Sequence, residues 1–258
     1  MSKHVKMWGQ TKGTDKPRII GHRGASAKAP ENTIAAFSLA AAMGADAVEL
    51  DVQLSRDKEL VVFHDQTLER TTNGNGRVSS ANLEDLKNLD AGSHFHPMFK
   101  GEKIPTLEEV FREFQGMRGI NVELKSLRFE RLLVEKTYKC IYRNNMQGRI
   151  LISSFNPFLL IEAYKINKEI PIGLLVTRGV GKIMRYFLQK IVQPTAFHPE
   201  DVLVTRKMIK GNHNINRTIN CWTVDDSERI NQLRKWGIDG IITNHPDLAK
   251  RVLNTVNS

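Results

Sequence analysis

The chain has 258 residues, 40% of them hydrophobic, and carries 38 basic against 28 acidic side chains for a formal charge of +10. That length suits one large core, no Gly/Ser/Pro-rich linker divides it, and the expected organisation is a single domain over 17–255 behind a polar extension, 1–16. No apolar run of eighteen residues is available to cross a bilayer, and residues 1–16 lack the apolar stretch of a secretory leader, which argues against both classes.

The first predicted strand, Arg18 to His22, ends on an imidazole, with the Arg23 guanidinium next and Gly24 placed for a sharp turn. A helical run is predicted over Glu31 to Met43, so the intervening loop carries Ser26 and Lys28 past whatever His22 and Arg23 bind. Ala47 to Leu54 reads as the second strand and Glu59 to His64 as the third. The link between them, Ser55 to Lys58, is too short for a right-handed crossover. Those two strands therefore form a hairpin-like irregularity, or one of them lies outside the main sheet.

Polar, Gly- and Asn-rich sequence follows from His64 to Pro105, with a short helical patch at Leu83 to Leu89 and the cluster His94-Phe-His-Pro97. Some forty residues exceed an ordinary connection, and the stretch 65–105 reads as an inserted lid or small subdomain. Beyond it, strands are expected at Gly119 to Lys125, Arg149 to Phe155, Ile170 to Val176, Thr195 to His198, Thr218 to Val224 and Asp239 to Thr243. Helices are expected at Leu107 to Phe114, Phe129 to Arg143, Pro157 to Asn167, Ser227 to Trp236 and Pro246 to Leu253. The alternation is that of a parallel α/β fold, although nine strands are one too many for an eight-stranded barrel. The segment Gly181 to Val192 is basic and amphipathic. The favoured reading makes it an outer helix whose apolar face is core; the other lays it on an anionic membrane surface.

Glu49 and Asp51 stand two apart in Val48-Glu-Leu-Asp-Val52, so on a strand they share one face while the aliphatic residues share the other. Glu123 and Lys125 repeat the arrangement. Charges directed into a barrel are costly to bury unpartnered, and a divalent cation would supply the partner. Three carboxylates are hard oxygen ligands, which points to Mg²⁺ or Ca²⁺, with Mn²⁺ as a further option, rather than a closed zinc site. His64 ends another apolar run and gives a second imidazole, so His22 and His64 can divide general acid and base work on a phosphodiester. Arg23 and Lys125 would neutralise phosphoryl oxygens, and Trp222 would either wall the alcohol portion of a substrate or pack in the core. His4, His94, His96, His198, His213 and His245 are read as structural, with His94 and His96 as lid contacts. Cys140 and Cys221 show neither disulfide nor zinc spacing, so a reducing cytoplasm is expected.

The motifs His22-Arg-Gly24 with Pro30-Glu-Asn-Thr33, Glu49-Leu-Asp51, His64-Asp65, Glu123-Leu-Lys125, Ser153-Ser-Phe155, Trp222-Thr-Val224 and Gly240-Ile-Ile-Thr243 resemble, in order and from Pro17 to Leu253, the glycerophosphodiester phosphodiesterase family. The resemblance implies a slightly irregular TIM-type (β/α)8 barrel with an insertion after the third strand. It implies metal-dependent hydrolysis of small glycerophosphodiesters to glycerol 3-phosphate and an alcohol. His22 and His64 carry over as the acid/base pair, Glu49, Asp51 and Glu123 as metal ligands, Arg23 and Lys125 as phosphate contacts, and Glu31 as a support for Arg23 or His22. The nucleophile, water or the adjacent glycerol hydroxyl, stays open. Two positions depart from the family pattern: Asp225, where Asn is more usual, and Asn244, where Asp is frequent. The rival activity is a lysophospholipase D-like one on acylated substrates at a membrane. A nucleic-acid partner is not expected, because the basic residues are scattered and not interleaved with aromatics. Oligomeric state is left open.

Overall fold

Alternation along β2 (Ala47–Leu54) divides its side chains between two environments. Val48, Leu50 and Val52 join the large hydrophobic core, whereas Ala47 belongs to a second, smaller cluster with Ile20, Leu151, Ala196 and Ile242. This division between an outer and an inner layer is what a closed sheet requires. The computed structural model describes Trp8 and residues 16–126 and 128–255. The remaining strands are β1 (Arg18–His22), β3 (Leu60–Val62), β4 (Gly119–Leu124), β5 (Ile150–Ser154), β6 (Ile172–Val176), β7 (Ala196–Pro199), β8 (Thr218–Cys221) and β9 (Gly240–Thr243).

Strand β1 pairs in parallel with both β2 and β9, and the remaining pairings close the ring β1-β2-β4-β5-β6-β7-β8-β9. The result is an eight-stranded parallel barrel, a TIM barrel. The ninth strand is accounted for by β3, which pairs antiparallel with the end of β2 (Val52↔Val62, Leu54↔Leu60) and stays outside the ring. Helices α1 (Ile34–Ala42), α3 (Leu107–Glu113), α4 (Arg131–Arg143), α5 (Pro157–Ile166), α6 (Lys182–Val192), α7 (Arg206–His213) and α8 (Ser227–Trp236) connect the ring strands, α9 (Pro246–Asn254) follows the last, and α2 (Leu83–Asn88) lies in the insert.

Three details depart from the sequence expectations. Helix α1 starts at Ile34 instead of Glu31, because Thr33 is its N-cap, accepting from the Ala36 amide, and Asn32 holds a left-handed backbone (φ 59°). Glu31 is thereby left in a loop. The extension 1–16 is not wholly an appendage: Trp8 is buried in the inner cluster, and its indole N–H donates to the Arg149 carbonyl at 2.9 Å. An amphipathic ring suits that place, where apolar side chains must be covered beside the Arg149 carbonyl, which also accepts from the Ile120 amide at 2.9 Å. Helix α6 buries Val192 and packs Leu188 against the core, but leaves Ile183, Phe187 and Ile191 at 75%, 53% and 62% exposure, so its main apolar face is not core.

The stretch 65–105 holds α2 and packs around its own small cluster, Leu68, Val78, Leu86, Ala91 and Ile104, built onto Val61 of β3 and Phe63 just after it. It is fastened to α3 by Lys87, whose ammonium pairs with Glu109 at 2.7 Å.

Candidate active site

The carboxyl ends of β1, β2 and β4 bring the charged motifs together. Glu49, Asp51 and Glu123 are all buried and offer oxygens within 4.8 Å of one another. A cavity of about 230 Å³ is lined by His22, Arg23, Glu49, His64, Glu123 and Lys125, with Phe155, Leu175 and Trp222 on its apolar side. The rings of Phe155 and Trp222 meet edge to face at 5.5 Å. Trp222 also donates its indole N–H to the His198 carbonyl at 2.8 Å, which fixes the plane of that wall.

Local backbone geometry aims the first strand's end. Arg23 (φ 53°) and Gly24 (φ 89°) are both left-handed, and a Cβ on Gly24 would meet the Ala36 backbone at 2.5 Å, so only glycine fits. This turn points the Arg23 amide at Glu49 Oε2, 3.0 Å away. The Arg23 guanidinium lies between Glu31 (2.9 Å) and Asp51 (3.3 Å), and Lys125 lies between Glu123 (3.0 Å) and Asp51 (3.6 Å). Asn32, a residue the motif reading did not assign, donates to Asp51 Oδ2 at 2.8 Å.

The electrostatics are uneven. Burial, then the charges of Asp51 and Glu123, push the Glu49 carboxyl well above its ordinary range, and burial with Asp51 lifts Glu123 to about 7. For Asp51 burial acts upward, but Arg23, Lys125, His64 and the Asn32 hydrogen bond together outweigh it and hold it low. Two cationic side chains thus do not balance three carboxylates, and among the described residues the Asp51 Oδ1 atom has no hydrogen-bond donor. The donor set, all hard oxygen, fits a divalent cation such as Mg²⁺ or Ca²⁺ held by Glu49, Asp51 and Glu123.

Each imidazole has its Nδ1 engaged. His64 Nδ1 lies 2.5 Å from Asp65 Oδ1, and Asp65 also pairs with Arg70, which reaches back to Glu31. Burial would raise Asp65, yet Arg70 and His64 hold it at about 2. His22 Nδ1 lies 2.7 Å from Asn244 Oδ1, to which Ser26 Oγ also donates. Burial, with Arg23 adding to it, lowers His22 to about 4; burial also lowers His64.

Comparison with known proteins decides the kinship. The model of the glycerophosphoryl diester phosphodiesterase family matches residues 22–248. The chain belongs to that family. A glycerophosphodiester phosphodiesterase from Caldanaerobacter subterraneus is 41% identical over 235 residues, 90% of this chain and 96% of the relative. One from Bacillus altitudinis is 34% identical over 91% of this chain and 97% of its own. Among solved structures, an Oleispira antarctica phosphodiesterase in complex with sn-glycerol-3-phosphate superposes with a TM-score of 0.86 at 30% identity, covering 93% of this chain and 98% of the other. The protein is accordingly an enzyme, a phosphoric diester hydrolase of the glycerophosphodiester phosphodiesterase type.

All the motif residues, His22, Arg23, Glu31, Glu49, Asp51, His64, Glu123, Lys125 and Trp222, gather around this one cavity or its edge. The two departures from the family pattern are in contact with each other: Asn244 Nδ2 donates to Asp225 Oδ2 at 2.6 Å and the Asn244 amide to Asp225 Oδ1 at 2.8 Å. Asp65, Arg70 and Asn244 complete the site's surround without having been given roles by sequence. The signals in the sequence are the adjacency of Asp65 to His64 and the departure of Asn244 from the family pattern.

Proposed function

We propose that the enzyme hydrolyses small glycerophosphodiesters to glycerol 3-phosphate and an alcohol with one divalent cation and the two histidines. The observation that carries this reading is the convergence of two imidazoles, three carboxylates and two cationic side chains on a single cavity. Glu49, Asp51 and Glu123 would hold the cation, which when bound would supply Lewis-acid polarisation of the phosphoryl group. Arg23 and Lys125 orient and neutralise its other oxygens.

The two imidazoles have different surroundings and hence different tasks. His22 faces a neutral amide and is held unprotonated, which suits the general base; its Nε2 takes the nucleophile's proton. His64 is backed by the Asp65 carboxylate, which stabilises an imidazolium and suits the general acid that protonates the leaving alkoxide. Glu31 bridges Arg23 and Arg70 and keeps the guanidinium of Arg23 turned to the site. Trp222 and Phe155 pack against the alcohol portion. Residues 17–255 act as one catalytic domain, with 65–105 as its lid, a role supported by the link from Arg70 to Glu31. The two free, buried cysteines suit a reducing cytoplasm.

The test is coupled detection of glycerol 3-phosphate released from glycerophosphocholine by EDTA-stripped protein with Mg²⁺, Ca²⁺ or Mn²⁺ restored. Metal-restored release is expected; no release with any of the three overturns the reading. One observation, the exposed apolar face of α6, favours the second reading, peripheral membrane contact and action on acylated phosphodiesters.

A further inference from the structure

Helix α6 is seated by its inner face. Leu188 and Val192 pack on the core, and Arg217 reaches across to Gln189 at 2.6 Å. Its outer face is consequently turned to solvent, and there Ile183, Met184, Phe187 and Ile191 are exposed, as are Lys182 and Lys190 of the same helix. Eleven residues make a helix of roughly 16 Å, long enough to lie along an interface. No acidic side chain occurs between Glu169 and Glu200, whereas Arg178, Lys182, Arg185 and Lys190 all fall in that stretch.

The helix begins just after the carboxyl end of β6, so its first turn stands at the same end of the barrel as the cavity. Exposed Phe158 opens the neighbouring α5, and exposed Phe129 lies in the link between β4 and α4, at that same end. The cavity's apolar side is Phe155, directly after β5, Leu175 on β6 and Trp222, directly after β8, the sector of the ring that includes α5 and α6.

We propose that α6 and this rim are a docking face for an anionic phospholipid surface, which brings the mouth of the cavity to acylated phosphodiesters held in the bilayer. The inference rests on the second reading above and gives it a surface and a lipid charge. Charge decides between occupants. A second copy of the chain packed through the same helix would set Lys182 and Lys190 against like charges, while an anionic headgroup layer attracts each of them and the apolar stripe enters the acyl boundary.

Co-sedimentation with vesicles of phosphatidylglycerol and phosphatidylcholine, compared with phosphatidylcholine alone, tests it without any turnover. Binding is expected to the anionic vesicles, weakened at least about tenfold by 0.5 M salt. The pairs Ile183→Ser with Phe187→Ser, and Lys182→Glu with Lys190→Glu, should each cost at least about tenfold in vesicle affinity. Both should also lower hydrolysis of a lysophospholipid embedded in such vesicles, while turnover of soluble glycerophosphocholine stays at the wild-type rate and reports an intact fold. Three results would overturn the proposal: no binding to anionic vesicles, binding untouched by either pair, or a dimer in solution that both pairs dissociate. Loss of soluble turnover in the wild-type enzyme would instead count against the hydrolase reading, independently of the vesicle result.

Discussion

Asn244 fixes the tautomer of His22. Its amide nitrogen must face Asp225, since a carboxylate only accepts, and so Oδ1 is the atom turned to His22 Nδ1, 2.7 Å away. An oxygen there accepts the Nδ1 hydrogen and leaves Nε2 with its lone pair. Asp225→Ala should release the amide and lower kcat roughly 10- to 100-fold with little change in KM. The exchanged pair Asp225→Asn with Asn244→Asp keeps an acceptor opposite Nδ1 and should recover most of the loss. Nitrogen-15 spectra of the imidazole check the assignment directly: Nδ1 should carry the hydrogen in the wild type, and a resting Nε2–H form would contradict it.

The two histidines should separate by leaving group. His64→Ala and His22→Ala are each expected to lose about 10²- to 10⁴-fold in turnover of glycerophosphocholine. A substrate with a nitrophenolate leaving group needs no proton donor, so it should restore much of the activity of His64→Ala and little of that of His22→Ala. Equal rescue of both would reverse or remove the assigned division.

Removing the cation should be visible as a change in stability. Glu49 is buried among like charges, so the metal-free wild type bears a repulsion that Glu49→Gln relieves. Scanning calorimetry in EDTA should find Glu49→Gln at a Tm a few degrees above the wild type. Added Mg²⁺, Ca²⁺ or Mn²⁺ should raise the wild-type Tm through mass action and leave the variant nearly unmoved. Isothermal titration with the metal alone should show the same loss of binding.

Acid sensitivity should trace to His198. This side chain is fully buried in the barrel, accepts from Asn220 Nδ2 at Nε2 (2.9 Å), and is lowered by burial, with Arg18 adding to it, to about 3. A histidine whose folded pKa is depressed favours folding above the unfolded value near 6.5 and loses that contribution as pH falls through the folded value. Denaturant unfolding should therefore show stability decreasing from about pH 6.5 toward pH 3, by an amount on the order of 5 kcal/mol if this group acts alone. His198→Gln should flatten that limb. A parallel slope in the variant would assign it elsewhere.

Trp8 should be a stability residue that takes no part in the chemistry. Trp8→Ala opens a cavity at the inner cluster and leaves the Arg149 carbonyl without its indole donor, a loss of about 3–5 kcal/mol. Turnover measured well below the lowered Tm should remain near that of the wild type, and a large kcat defect there would contradict the placement.

Much of the site was legible along the chain because its chemistry is local in sequence. Glu49 and Asp51, and Glu123 and Lys125, are two apart on strands, and a period of two puts each pair on one face wherever the strand goes. The short link Ser55 to Lys58 likewise excluded a crossover, and β3 turns back against β2 and stays outside the ring. Only the closed ring decided what those faces meet. It set β9 beside β1 and so carried Asn244 to His22 across 222 residues, and it put the Trp8 indole among the inner residues that a polar-looking extension gave no reason to expect. The same limit reversed the reading of α6, whose pattern showed that one face is apolar but not that this face points outward. Periodicity along an element specifies which side chains share a side; the neighbour occupying that side is set by packing between distant segments, and that the tertiary structure alone supplied.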